Sequence, residues 1–195
     1  MRSLKRFERE KIKPKMQNII NGERIYLREL NQEDISPEYC NWLNDPMVNK
    51  FLETKKTTIE ELKQYVKEKK ENSNCLFLGI FLKENNKHIG NIKLEPIDFN
   101  NKRATIGILI GNKDYWGKGI AAEATKLLVN YAFNSLDLKE VNLGVISENK
   151  AAIKVYKKVG FKIDRIEKKS TMYGNKYYDG IIMSINKDKA LIKRG

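Results

Sequence analysis

Cysteine is scarce in this chain: only Cys40 and Cys75 occur, far apart and outside any Cys-x-x-Cys pattern. Neither a disulfide framework nor a thiolate zinc site is supported, and a reducing, cytoplasmic setting fits. One histidine, His88, is present; it begins a strand-like run, and no serine or cysteine triad assembles around it. No metal site is expected. Long apolar runs are missing as well: none approaches the ~20 residues of a membrane helix. Met1–Met16 is basic but lacks the apolar stretch of a secretory signal, so neither a membrane nor export is expected. Internal repeats and low-complexity linkers do not occur.

What remains is a chain of 195 residues, 41% hydrophobic and 32% charged, suited to one buried core. Its net charge is +13, from 38 Lys+Arg against 25 Asp+Glu. Such a balance attracts nucleic acid, anionic lipid or a phosphorylated small molecule. The lysines are nevertheless spread along the whole chain, as solvating residues are. Seven of the basic residues crowd Arg2–Lys15, which reads as a basic arm. The expected organisation is a leader over 1–22, one domain over 23–188 and a tail over 189–195.

Periodicity orders the domain. Arg24–Leu30 alternates as a half-buried strand, and Asn31 caps a helical stretch that runs to Trp42 and breaks at Asp45-Pro46. Thr57-Thr-Ile-Glu60 reads as a capping box for a helix carrying Ile59, Leu62 and Val66 on one face. Cys75–Leu82, His88–Leu94 and Arg103–Gly111 are strands in series, the last two joined by Glu95–Lys102 with its Pro96. A strong helix follows, with Ala121, Ala124, Leu128, Tyr131 and Ala132 on one face. Val141–Ile146 is a strand and Asn149–Val159 a helix stopped by Gly160. Phe161–Thr171 and Tyr177–Ile185 form a last hairpin around 173–176. This order predicts a single α/β (α+β) domain: three layers around a mixed, mostly antiparallel sheet of about seven strands.

The stretch Tyr115-Trp-Gly-Lys-Gly-Ile-Ala-Ala122 lies between a strand and a helix. Its glycines let backbone approach a ligand, and the free N–H groups of a helix start suit an anion such as a diphosphate. Lys118 adds a charge. The loop lacks both the Gly-x-Gly-x-x-Gly of dinucleotide folds and the Gly-Lys-Ser/Thr of nucleotide loops. A tight turn into a buried helix would look similar.

A second stretch, Ser147-Glu-Asn149-Lys-Ala-Ala-Ile-Lys-Val-Tyr156-Lys-Lys-Val-Gly160-Phe161, stands downstream. With these two in order, the chain resembles the GNAT N-acetyltransferases, in the branch of the Rim-type ribosomal-protein and amino-sugar enzymes. The family's Gln/Arg-x-x-Gly-x-Gly/Ala loop maps onto Trp116-Gly117-Lys118-Gly119-Ile120-Ala121, Trp116 standing for Gln/Arg and Ala122 following. The resemblance covers roughly Arg24 to Ile185 in element order. It implies acetyl-CoA as co-substrate, and a central strand splayed from its parallel neighbour to admit the pantetheine arm. Backbone groups of Ile108, Leu109 and Ile110 would meet that arm. Asn149 would touch it, although a helix cap explains Asn149 as well. Tyr156 would donate a proton to the departing thiolate; a packing tyrosine is the alternative.

Many relatives carry a glutamate two residues before the glycine numbered 107 here, where this chain has Thr105. Other carboxylates, Glu29, Asp45, Glu53, Glu95 and Asp98, could act through water. Glu53, after Phe51-Leu52, is the first choice for binding the amine. Amide formation needs a neutral amine, which leans toward a protein α-amine or an amino sugar rather than a lysine. Trp42–Pro46 through Phe51–Thr54 looks like relatives acting on polysaccharide amino sugars. The expected activity is direct acetyl transfer to a primary amine, on a nucleotide-linked amino sugar or a ribosomal protein N-terminus. Nucleic acid would be met only through the ribosome, and a homodimer is compatible. A basic nucleic-acid-binding module, or a CoA sensor without turnover, are the rival readings.

Overall fold

The computed structural model of the protein describes residues 19–52, 56–173 and 176–188. The basic arm, Glu53, the turn at 174–175 and the tail lie outside the described residues. Among the described residues, no helix is long and apolar enough to cross a membrane.

Among the described residues, eight strands build one sheet: β1 (Ile20–Asn21), β2 (Ile25–Glu29), β3 (Leu76–Leu82), β4 (His88–Asp98), β5 (Arg103–Ile110), β6 (Glu140–Ile146), β7 (Lys162–Tyr173) and β8 (Lys176–Asn186). Their spatial order is β1-β2-β3-β4-β5-β6-β8-β7, with β5 and β6 the single parallel pair. The strand beyond the expected seven is β1, two residues paired to β2 around the Gly22 turn. β4 also runs four residues past Leu94. A register shift between Leu94 and Ile97 takes Pro96 out of the ladder, so its missing N–H costs no pairing.

The α-helices of the described residues cover both faces: α1 (Pro37–Asn44), α2 (Ile59–Glu71), α3 (Ile120–Asn134) and α4 (Lys150–Val159). Alternation along β3 shows how the layers form. Leu76, Leu78, Ile80 and Leu82 join Ala124, Leu128 and Ala132 of α3 in one core. Phe81, with Phe77 at its margin, joins Tyr39, Trp42, Leu62 and Val66 of α1 and α2 in the other. The helical stretch after Asn31 is two pieces, a 3-10 turn at Gln32–Asp34 and then α1, because Ser36 caps a fresh start with Pro37 at its first position. The capping box of α2 sits one residue later than expected, with Thr58 and Glu61 exchanging hydrogen bonds.

Candidate functional site

The sheet opens at its centre. β5 pairs with β6 at Arg103–Glu140, Ala104–Val141 and Thr105–Asn142 alone, while β5 stays paired to β4 as far as Ile110 and β6 to β8 as far as Ile146. At the apex the Thr105 hydroxyl donates to Asn142 Oδ1 at 2.8 Å. Beyond it the two strands separate into a wedge, with no β5–β6 pairing among the described residues.

Strand geometry decides which groups face that wedge. Gly111 N–H donates to Ile89 O, so the residues in step with Gly111, Leu109 and Gly107, turn their backbone groups to β4. Ile106, Ile108 and Ile110 therefore turn theirs toward β6. The Ile110 carbonyl accepts the Trp116 indole N–H at 2.8 Å, which ties the following loop to the strand end. Ile108 keeps both an N–H and a carbonyl on the open side and is itself half-buried. Unpaired main-chain groups at such a depth cost roughly 1–3 kcal/mol each unless a ligand or water meets them. An extended arm carrying amides is the shape that fits.

At the mouth of the wedge stands the loop into α3. Gly117 and Gly119 hold φ of 71° and 80°, the left-handed region that favours glycine. A methyl placed on Gly117 would meet nothing within 4 Å, so this side of the loop is open. Gly119 is the N-cap, and the first intrahelical bond is Glu123 N–H to Gly119 O. The N–H groups of Gly117, Lys118, Gly119, Ile120, Ala121 and Ala122 have no acceptor among the described residues. This row of donors at the positive end of a helix fits a diphosphate. Trp116 is 40% exposed, and the Lys118 ammonium lies 5.3 Å from the Tyr115 ring centroid, leaving it at the surface.

Tyr156 sits on α4 with 7% exposure, its ring 5.7 Å from that of Phe161. Its hydroxyl has no hydrogen-bond partner among the described residues, and burial pushes the phenol up to about 12. Asn149 caps α4, its Oδ1 accepting Ala152 N–H at 3.2 Å.

Among the described residues, the other carboxylates considered as bases, Glu29, Asp45, Glu95 and Asp98, each face a lysine or arginine. Glu29 faces Lys70 at 4.0 Å, Asp98 faces Arg103 at 3.7 Å, and Asp45 pairs with Lys113. Glu95 lies between Lys69 and Lys93, at 2.6 and 2.8 Å. Burial raises its pKa, but those two hydrogen bonds outweigh the effect and hold it below the ordinary value. Around His88, the rings of Tyr39, Trp42 and Phe81 lie 5.0–5.2 Å away, and Nε2 reaches Gly90 O and Asn91 Oδ1. Both partners accept, so Nε2 carries the proton and Nδ1 is left bare and buried. Trp42 in turn packs on the end of β5: a methyl on Gly111 would lie 2.1 Å from its Cε3. Trp42, which opens the segment similar to amino-sugar enzymes, thus stands against the residue that follows β5.

Two residues at the site were not singled out by sequence. Arg24 donates to Lys118 O at 2.8 Å and to Glu123 Oε2 at 2.9 Å. An acid in the first turn of α3 is visible in sequence; its partner just ahead of β2, about a hundred residues away, carries no local signal.

The chain matches the family model described as an acetyltransferase (GNAT) domain over residues 24–162. It is 32% identical over 143 residues to the uncharacterised N-acetyltransferase p20 of Bacillus licheniformis, covering 71% of this chain and 79% of that one. To the spermidine N(1)-acetyltransferase of Escherichia coli (strain K12) it is 39% identical over 75 residues, 38% of this chain and 40% of that enzyme. The fold is similar to that of the Vibrio cholerae spermidine N-acetyltransferase solved with CoA and spermine. The TM-score is 0.79 at 22% identity, covering 86% of this chain and 98% of that one.

Proposed function

This chain belongs to the GNAT acetyltransferase family, and from that premise we propose an N-acetyltransferase that acts on the amine of a nucleotide-linked amino sugar. Acetyl-CoA supplies the acyl group and a thiol leaving group. The observation that carries this reading is the wedge between β5 and β6, open past Thr105 and floored by unpaired main-chain groups. The N–H groups of Gly117–Ala122 bind the diphosphate, and the N–H and carbonyl of Ile108 receive the amides of the pantetheine arm. Leu109 contributes packing, its backbone being turned to β4, and Ile110 binds through its N–H. Asn149 holds α4 in place at the arm.

Tyr156 hydrogen-bonds the departing sulfur. With its pKa pushed up to about 12, it is a weaker acid than a thiol near 8.5, so it donates a hydrogen bond without giving up its proton. The proton that the sulfur finally takes then comes from the amine. Glu53 receives the acceptor amine.

The choice of acceptor rests on charge and basicity. A chain of +13 in which Asp45, Glu95 and Asp98 are paired with lysine or arginine repels a polycation and suits a phosphorylated acceptor. Without a dedicated base, the neutral fraction of the amine sets the rate. At neutral pH that fraction is roughly 0.1% or less for an amine of pKa 10.4 and far larger near 7.7. A protein α-amine shares that advantage and is the second reading. Thiol release from acetyl-CoA, followed with a nucleotide amino sugar, a ribosomal N-terminal peptide and spermidine, tests all of this. The sugar is expected to give the largest kcat/KM; spermidine as the best acceptor would overturn the charge argument, and no release with any amine would overturn the activity.

A further inference from the structure

Resting on that reading, we infer that Arg24 is a positioning residue for diphosphate binding: its guanidinium fixes the Lys118–Gly119 peptide so that the Gly119 N–H faces the ligand. Arg24 immediately precedes β2, remote in sequence from the loop it serves. Its Nη1 donates to Lys118 O at 2.8 Å and its Nε to Glu123 Oε2 at 2.9 Å. In a planar trans peptide the carbonyl of one residue and the N–H of the next point in opposite directions. Gripping Lys118 O therefore turns the Gly119 N–H away from Arg24. The guanidinium also lies against the loop, with Nη2 3.6 Å from where a methyl on Gly119 would stand.

Glu123 makes the arrangement necessary. Its carboxylate occupies the first turn of α3, where an unpaired negative charge would compete with a bound anion for the helix's positive end. Oε1 accepts the N–H groups of Glu23 and Arg24, both at 2.9 Å, and Oε2 accepts the guanidinium. Burial raises the pKa of this carboxyl, but the hydrogen bonds from Arg24 prevail, so it stays ionised and neutralised in place. One arginine thus orients a donor and cancels a charge that would repel the ligand.

A tie between β2 and α3 with no part in binding would affect every acyl donor alike. The test compares acetyl-CoA with S-acetylpantetheine, which lacks the diphosphate. R24K keeps the charge and loses the fork. It is expected to raise the KM for acetyl-CoA about tenfold, the weight of one charge-assisted hydrogen bond. The KM for S-acetylpantetheine and the kcat at saturation should stay within about twofold. Equal changes with both donors, or no change with either, overturn the inference. Should R24K lose its fold, the double variant R24K/E123Q removes the unpaired carboxylate, and the same unequal response is expected there. A wild-type protein that uses neither donor sinks the proposed function, and this inference with it.

Discussion

Replacing Tyr156 by Phe removes one oxygen from a side chain that is 7% exposed and packed on Phe161. In the fold that oxygen has no partner among the described residues, so its loss breaks no bond and leaves the packing of the ring intact. The hydroxyl is not among the buried polar atoms left without a partner, so it meets solvent, and stability is expected to hold within about 0.5 kcal/mol. For a chain of this size that is a change of at most about 2 °C in Tm. The proposed role predicts the opposite for turnover. A hydrogen bond to a charged sulfur is worth roughly 1.5–3 kcal/mol, so kcat should fall about 10- to 150-fold while the KM for acetyl-CoA changes little. Stopped thiol-release kinetics and scanning calorimetry read the two quantities separately. Because burial pushes the phenol up to about 12, the donor stays protonated as pH rises through 10, and kcat in the wild type should show no tyrosine-dependent decline up to that pH. An unchanged kcat in Y156F refutes the role. A fall in Tm of more than about 4 °C together with lost activity refutes it too, since the hydroxyl would then be serving the fold.

Gly117→Ala places a methyl in the open side of the loop at a φ of 71°. Stability should fall by about 1–2 kcal/mol from left-handed strain, and the KM for acetyl-CoA should rise about tenfold; calorimetry and kinetics check both. Thr105→Val removes the hydroxyl that meets Asn142 at the apex of the wedge. The expected cost is about 1 kcal/mol in urea unfolding with kcat within about twofold, because Thr105 is not a base; a collapse of kcat would show otherwise. His88, whose pKa is lowered by burial, binds a proton less readily folded than unfolded. Stability is then fully present above the unfolded value near 6.5 and is lost as pH falls below it, by up to about 1.4 kcal/mol per pH unit. The neighbouring charges Arg28 and Asp34 act on the ring in opposite senses. Urea unfolding of wild type and His88→Gln from pH 8 to 5 should show a shallower acid loss in the variant; parallel curves would assign the loss to other groups.

Much of the fold was legible because its signals are local. The alternation of Arg24–Leu30, the apolar stripe of α3 and the Asn149 cap of α4 depend on residues a few positions apart, and each element formed where its period placed it. Where neighbours compete, the sequence leaves a choice of a residue or so. Thr57 and Thr58 each offer a hydroxyl three residues before a glutamate, and only the finished helix selects Thr58. Pro96 reads as the end of a strand, yet a bulge carries β4 past it.

The residue types and order of the diphosphate loop and of the α4 stretch, and with them the family, were set by the sequence itself. What the sequence could not fix is which backbone groups stay unpaired, since that depends on how far β6 follows β5 before it turns to β8. The same holds for contacts made across the chain: Arg24 with Lys118 and Glu123, Trp42 on Gly111, and the lysines that tie down Glu95. A lone arginine, tryptophan or glutamate reads as a surface or core residue until packing brings its partner from a distant element. Hydrogen bonds and ion pairs act over a few ångströms of space, whatever the separation along the chain, and only the folded structure supplies that distance.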